Sequence, residues 1–140
     1  MICAQQKPEY FEFASKVIGE NYTYGPATKC LANVSDGQIR AVVIYERTNG
    51  VDCMMHIASD GSSQWLTRLF LRAAFYVPFV QWGQRRVTGI VRADNAKALA
   101  FDKKLGFVQE GILRHGFKDC DAILLGMLKE ECRFIRGDHG

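Results

Sequence analysis

The chain has 140 residues and a mass of 15.8 kDa, the size of one ordinary domain. Hydrophobic residues make up 48% and charged residues 24% of the sequence, which excludes a wholly disordered, collagen-like or coiled-coil chain. The net charge of +3 is too small to indicate, by itself, a protein that binds nucleic acid or a membrane surface.

Basic residues are concentrated between positions 84 and 118, where eight lysines and arginines stand against three acidic residues, a local charge of +5. A basic region in a nearly neutral chain suits a small anionic ligand better than a long polyanion. A solvated helix face is the alternative interpretation. Binding of RNA or DNA is the weaker hypothesis, because no aromatic stacking platform is evident in the stretch.

Cysteine and histidine patterns set further bounds. The five cysteines form no Cys-x-x-Cys pair and no signal-peptide pattern is evident, which indicates reduced thiols in a cytoplasmic protein. The three histidines lie far apart in sequence, so no metal site is predicted. No apolar run reaches the roughly 18 residues that a membrane-spanning helix needs, so no membrane partner is expected.

Hydrophobic periodicity predicts three helices and six strands. In chain order they are a helix over residues 9–19, strands over 29–34, 39–47 and 51–59, a helix over 63–77, a strand over 86–92, a helix over 95–105, and strands over 107–117 and 122–129. Turn signals such as Asn49-Gly50 separate the first three strands, which are expected to form an antiparallel meander. Pro78 is expected to end the second helix and Gly106 the third.

This element order, without repeats or linkers, predicts one domain over residues 1–140, of which 133–140 form a flexible tail. The fold class is α/β (α+β), with one mixed, mostly antiparallel sheet and helices on both of its faces.

The most informative segment covers residues 95–114. It holds Asn95, a short helix, Lys104-Leu105-Gly106-Phe107, then Glu110-Gly111 and Arg114. This pattern resembles the C-terminal half of the GCN5-related N-acetyltransferases, especially the branch that acetylates the N-termini of ribosomal proteins. It is also similar to short, stand-alone members from bacteriophage genomes. The resemblance covers roughly residues 39–129; taken alone, Gly106-Phe107 is a helix C-cap followed by a core aromatic residue.

The resemblance implies the fold of that family and an acyltransferase activity. The expected reaction moves an acetyl group from acetyl-CoA to a primary amine, either a protein α-amine or a small amine, by direct attack in a ternary complex. The expected partners are acetyl-CoA and the amine acceptor, and a homodimer is left open. Because a fold does not imply a function, the alternative is a non-catalytic module of the same fold that senses acyl-CoA or binds another protein.

The turn after strand 51–59 corresponds in the family to the loop that holds the cofactor's pyrophosphate, since N–H groups at a helix N-terminus bind anions. The family's small residues are partly replaced here by Gln64 and Leu66, and Asp60 adds a negative charge. A plain capped helix start is the alternative. Strands 51–59 and 86–92 are expected to splay so that pantetheine fits between them. The predicted cofactor-binding residues are Ile57, Ala58, Gly61, Ser62, Ser63, Gln64, Trp65, Leu66, Thr67, Arg68 and Asn95.

Acetyl transfer to an ammonium group requires a base that removes a proton. His56 is the first candidate, because the ordinary histidine pKa of about 6.5 suits this task, and Glu46 is the second. A structural histidine and a surface carboxylate are the alternative interpretations. The family often has a tyrosine seven residues after the asparagine, where this chain has Asp102. Asp102 is expected to be a solvated helix residue, so that water protonates the leaving thiolate, with Tyr45 and Tyr76 as other candidate acids.

Overall fold

The structure is a computed structural model that describes residues 1–63 and 65–136. Within these residues, seven strands form one sheet and three α-helices pack on it. The elements are β1 (Ile2–Cys3), α1 (Pro8–Ile18), β2 (Thr28–Ser35), β3 (Gln38–Glu46), β4 (Asp52–Ser59), α2 (Arg68–Tyr76), a π-helical turn (Val77–Gln81), β5 (Arg86–Arg92), α3 (Ala96–Leu105), β6 (Val108–Leu113), β7 (Ala122–Leu128) and a 3₁₀ turn (Lys129–Glu131).

The sheet has the order β1-β2-β3-β4-β5-β7-β6, and each neighbouring pair is antiparallel except β4 with β5. The parallel pair is joined over three positions only, from Asp52↔Arg86 to Met54↔Thr88. Beyond Met54 and Thr88 the two strands diverge, while β5 stays paired with β7 along its whole length. The predicted mixed, mostly antiparallel sheet with a splayed central pair is therefore confirmed.

Helices cover both faces of the sheet, as predicted. Side chains alternate between faces along a strand, so Val42 and Ile44 of β3 pack with Phe11 of α1 on one face. On the other face Val43 and Tyr45 pack with residues of α2 and α3 such as Phe70, Phe75 and Leu105. Because β3 is buried on both faces, its sequence is a nearly continuous apolar run.

The second helix departs from the prediction at both ends. It begins at Arg68 rather than near Ser63, because Thr67 caps it: the Thr67 hydroxyl accepts a hydrogen bond from the Phe70 N–H at 3.0 Å. Pro78 does not end the helical path, because the Ala74 carbonyl that its missing N–H would have bonded accepts instead from the Tyr45 hydroxyl at 2.6 Å. Because α2 begins late, the chain after β4 is irregular up to its cap at Thr67.

Two strand predictions also differ from the structure. Strand β6 ends at Leu113 instead of extending to 117, because the next residues form a turn in which the His115 N–H donates to Asp121 Oδ1 at 2.9 Å. Strand β1 was not predicted. Its two residues are too few to show an alternation pattern, and only pairing with β2 creates the strand.

The predicted flexible tail is wrong for residues 133–136. Ile135 is 2% exposed, and Phe134 stacks on Phe75 with ring centroids 5.3 Å apart. The Arg133 guanidinium donates to the carbonyl oxygens of Lys104 and Leu105 at 2.7 and 3.0 Å, which satisfies the C-terminal end of α3. Residues 137–140 lie outside the described residues. None of the helices in the described part of the chain is long and apolar enough to cross a membrane.

Candidate active site

A cleft of about 640 Å³ opens where β4 and β5 diverge. Its walls come from these two strands, the segment after β4, the α3 helix and the C-terminal end of α1. Aromatic side chains, among them Trp65, Phe101 and Phe107, line its apolar part. The divergence leaves strand edges facing each other across the cleft, and these edges carry backbone donors and acceptors.

The direction of the β4 N–H groups follows from two backbone contacts. The Asp60 N–H donates to the Arg40 carbonyl on β3, and the Val51 carbonyl accepts from Arg86 on β5. Because backbone groups alternate along a strand, the N–H of Ile57 faces the gap towards β5, whereas that of Ala58 faces β3. One backbone donor of β4, the Ile57 N–H, therefore points into the cleft beside His56.

The cleft brings together most of the residues predicted to bind the cofactor. Its lining includes Ile57, Gly61, Ser62, Ser63, Trp65, Leu66 and Asn95, together with His56. The Ala58 side chain is instead fully buried under α1, and Thr67 caps α2. Arg68 is exposed and does not line the cleft, and Gln64 lies outside the described residues.

The segment after β4 uses its own donors internally. The Gly61 N–H donates to Ser59 Oγ at 3.2 Å. The N–H and the hydroxyl of Ser62 both donate to Asp60 Oδ1, at 2.9 and 2.6 Å. Arg40 Nη1 lies 3.3 Å from Asp60 Oδ2. These hydrogen bonds, with Ser62 as the largest contributor, lower the pKa of Asp60. Gly61 has φ +87°, a conformation that favours glycine.

Asn95 stands at the opposite wall. Its side chain accepts from the Ala98 N–H at 3.1 Å and so caps α3, while the residue also lines the cleft. The nearby Arg92 is held by Asp94 at 3.0 Å and by Asp119 at 2.9 Å. The cap fixes where α3 begins. It therefore also fixes which side chains, about two turns later, enter the cleft.

His56 and Glu46 form a pair at the edge of the cleft. His56 lies opposite Ile44 in the β3–β4 register, so Glu46 is its diagonal neighbour on the same face, and Nε2 lies 3.0 Å from Glu46 Oε1. The Tyr22 ring lies 5.6 Å from the imidazole. Burial lowers the pKa of His56, although Glu46 and Glu20 act in the opposite direction. The imidazole is therefore neutral at neutral pH, and this contact assigns its N–H to Nε2 and leaves the Nδ1 lone pair for a proton.

Asp102 lines the cleft, so the expectation of a solvated helix residue is wrong. Burial raises the pKa of this carboxyl to about 6. The reason is helical spacing: seven residues are about two turns, so Asp102 lies on the same side of α3 as Asn95. The spacing can be seen in the sequence. Together with the direction of α3, it indicates that Asp102 faces the cleft.

The two tyrosines considered as acids lie elsewhere. Tyr45 is buried and its hydroxyl donates to the Ala74 carbonyl at 2.6 Å. Tyr76 is 41% exposed, and neither tyrosine lines the cleft. Sequence reasoning missed Val17 and Ile18 at the end of α1, which reach the cleft only through tertiary packing. Among the described residues, no group of three or more His, Cys, Asp or Glu side chains is arranged to hold a metal ion.

No protein-family model matches the chain, and no curated protein matches it significantly. Solved structures do share its architecture. Spermidine/spermine N-acetyltransferase from Vibrio cholerae, in complex with manganese ions, is similar with a TM-score of 0.73 and 15% identity, over 93% of this chain and 92% of that one. A variant of the Vibrio cholerae spermidine N-acetyltransferase has a TM-score of 0.76 and 14% identity, over 99% of both chains.

The ribosomal-protein-S18-alanine N-acetyltransferase from Escherichia coli is also similar, with a TM-score of 0.70 and 20% identity over 91% of this chain and 92% of that one. These structures agree with the chain in the mostly antiparallel sheet and in nearly its full length. The protein therefore has the fold of the GCN5-related N-acetyltransferases, as the pattern over residues 95–114 predicted.

Proposed function

We propose that the protein is an N-acetyltransferase that transfers an acetyl group from acetyl-CoA, as co-substrate, to a primary amine. The observation that carries this proposal is the cleft between β4 and β5, with the His56–Glu46 pair at its edge and Asp102 in its wall. The activities of the similar proteins, acetylation of spermidine and of a ribosomal-protein alanine, agree with this reaction class.

The cleft fits an extended thioester arm. A pantetheine chain is an extended amide, and the diverging edges of β4 and β5 carry backbone groups that would pair with it. The Ile57 N–H, which faces the gap, would hold the thioester carbonyl and stabilise the negative charge that develops on its oxygen. Ser62, Ser63 and Asn95 line the cleft and would contact the phosphate-bearing part.

The chain's own residues take up one proton and supply another. His56, neutral because burial lowers its pKa, accepts on Nδ1 the proton that the ammonium group loses, directly or through a water molecule. Glu46 stabilises the imidazolium that forms. The neutral amine nitrogen then forms a bond to the carbonyl carbon, the carbon–sulfur bond breaks, and the second proton that the nitrogen loses passes to solvent. Asp102, whose pKa is raised, donates its proton to the leaving sulfur and is restored from solvent.

Acidic residues at the amine end favour a cationic acceptor. Burial is the main cause that raises the pKa of Tyr22, and Glu46 and Glu20 add to it; both also oppose the fall in the pKa of His56, against the smaller effect of Arg47, so both negative charges act at this end of the cleft. An ammonium group is attracted there before it loses its proton. The acceptor is therefore a protein α-amine or a small amine, and a screen should hold both a polyamine and a peptide with a free N-terminal alanine.

Thermal unfolding with acetyl-CoA, CoA and ATP in parallel is the first test. A ligand at about 100 times its Kd stabilises a fold by about 2.7 kcal/mol, which for this size is a shift of roughly 5–10 °C. A shift with acetyl-CoA and CoA but not with ATP supports the proposed cofactor site. Release of free CoA thiol when an amine is added then supports acetyl transfer. No shift with any of the three overturns the proposal. Binding without turnover favours the non-catalytic alternative instead.

A further inference from the structure

Ser59, Gly61, Ser62 and Ser63 line the cleft at the end where the proposed co-substrate would place its diphosphate, and three donors of Gly61 and Ser62 are already used. Ser59 Oγ takes the Gly61 N–H, and the Asp60 carboxylate takes both the N–H and the hydroxyl of Ser62. A carboxylate that accepts an N–H and a hydroxyl together occupies the contacts that a phosphate oxygen would make.

Asp60 is held in this position by a second element. Its other oxygen contacts Arg40 Nη1 at 3.3 Å, and its side chain is 21% exposed. Arg40 comes from β3, and its backbone carbonyl also accepts the Asp60 N–H at 2.9 Å. The neighbouring basic residue Arg92 is already bound to Asp94 and Asp119. The loop therefore presents a carboxylate, held by Arg40, that occupies the donors of Ser62 where the proposed co-substrate carries its phosphates.

We propose that Asp60 determines affinity at this cleft, because its carboxylate competes with the diphosphate for the donors of Ser62. This inference rests on the proposed function. It implies that Asp60 weakens the binding of thioesters that carry phosphates. The binding of thioesters of pantetheine itself, which carry none, is not affected. Asp60 touches neither reacting atoms nor the amine, so its effect is on binding and not on the chemical step.

The test compares Asp60→Asn with the natural chain by calorimetric titration of acetyl-CoA and of S-acetylpantetheine, which carries no phosphate. Asparagine replaces the carboxylate with a neutral oxygen, which is a weaker acceptor for the donors of Ser62 and so competes less with a phosphate. We expect the Kd for acetyl-CoA to fall about fivefold to tenfold and the Kd for S-acetylpantetheine to stay unchanged. The matched control is Asp36→Asn, which removes the same charge from the other acidic partner of Arg40, 4.0 Å away and 92% exposed, without touching the loop.

The outcomes separate this inference from the proposed function. An unchanged or higher Kd for acetyl-CoA in Asp60→Asn, with binding intact in the natural chain, overturns the inference alone. An equal gain for S-acetylpantetheine, or in Asp36→Asn, also overturns it, because the effect would not then come from phosphate at this loop. If neither protein binds acetyl-CoA, both proposals fail. Tighter binding in a variant whose thermal unfolding is unchanged supports the inference.

Discussion

The His56 side chain is the residue on which the proposed chemistry depends most directly. His56→Gln keeps a donor for Glu46 but removes the base, so kcat is expected to fall about a hundredfold or more, with little change in KM for acetyl-CoA. Steady-state kinetics with an amine in excess measures both. A fall of less than about threefold would make His56 structural and not catalytic.

The pH dependence tests how Glu46 acts. A neutral imidazole and a protonated Asp102 are both required, so kcat/KM is expected to rise as the pH increases through the His56 pKa, which burial places below 6.5, and to fall as the pH increases through the Asp102 pKa of about 6. Glu46 raises the His56 pKa, and Glu46→Gln is therefore expected to move the acidic limb to lower pH as well as to reduce kcat. A purely structural role for Glu46 would leave the position of the limb unchanged.

Asp102 carries a cost to stability that depends on pH. Its pKa is about 6 in the folded protein against an ordinary 3.8, so the folded state holds this proton more tightly than the unfolded chain. Ionisation therefore destabilises the fold as the pH rises from about 4 through about 6. Asp102→Asn is expected to raise the free energy of unfolding by about 2 kcal/mol near pH 7.5 and by little near pH 4.

Denaturant titrations of Asp102→Asn at both pH values make this measurement. An equal effect at the two pH values would show that burial of the charge is not the cause. The same variant should lower kcat, because an amide does not protonate a thiolate. A protein that is more stable and less active is the signature expected of a buried group with a catalytic task.

At the scale of elements, the divergence of β4 from β5 creates the cleft, and Gly89 lies on β5 just past the last paired position. A Cβ at Gly89 would meet only the Met55 carbonyl at 3.9 Å and the Phe107 ring at 4.0 Å, which are ordinary contacts. Gly89→Val is therefore expected to fold but to fill the gap, so that affinity for acetyl-CoA falls at least about tenfold. Titration of acetyl-CoA, with the thermal unfolding temperature as a check of folding, measures it.

The control for this variant is Gly111→Val on β6, where a Cβ would meet nothing within 4 Å. It adds the same side chain away from the cleft and should leave the affinity unchanged. Full affinity in Gly89→Val would mean that the thioester arm does not lie between β4 and β5.

Element types followed from the sequence more reliably than element ends did. The apolar runs of β2, β3 and β4, bounded by turn signals, and the helical period of α3 agree with the structure because the apolar side chains of these elements must be buried. The predicted start of α2 was wrong because Asp60, Ser62 and Thr67 are all acceptable caps, and local sequence does not decide among them. Asp60 and Ser62 lie instead in the irregular segment that precedes Thr67, so this ambiguity falls on the proposed diphosphate end of the site.

At the scale of the whole molecule, the C-terminal segment closes the core beneath α3. Ile135 is 2% exposed and belongs to the cluster that includes Phe75 and Leu105. Ile135→Ala is expected to cost about 3 kcal/mol of unfolding free energy, the usual range for removing three buried carbon atoms. Ile112→Ala is the matched control, because Ile112 is 57% exposed and should lose less than about 1 kcal/mol. Equal losses in the two variants would contradict the packing of this segment.

The sequence by itself determined the class of fold, because periodicity, turn residues and the pattern over 95–114 are local properties. It also identified His56 and Glu46, but as rival bases, since their contact depends on the β3–β4 register. Only the tertiary structure decided that they form a pair, that Asp102 enters the cleft, and that Asp60 takes the donors of Ser62. The first two depend on long-range packing, which sets burial and the distance between residues far apart in the chain; the third is a local contact that Arg40 of β3 holds in place.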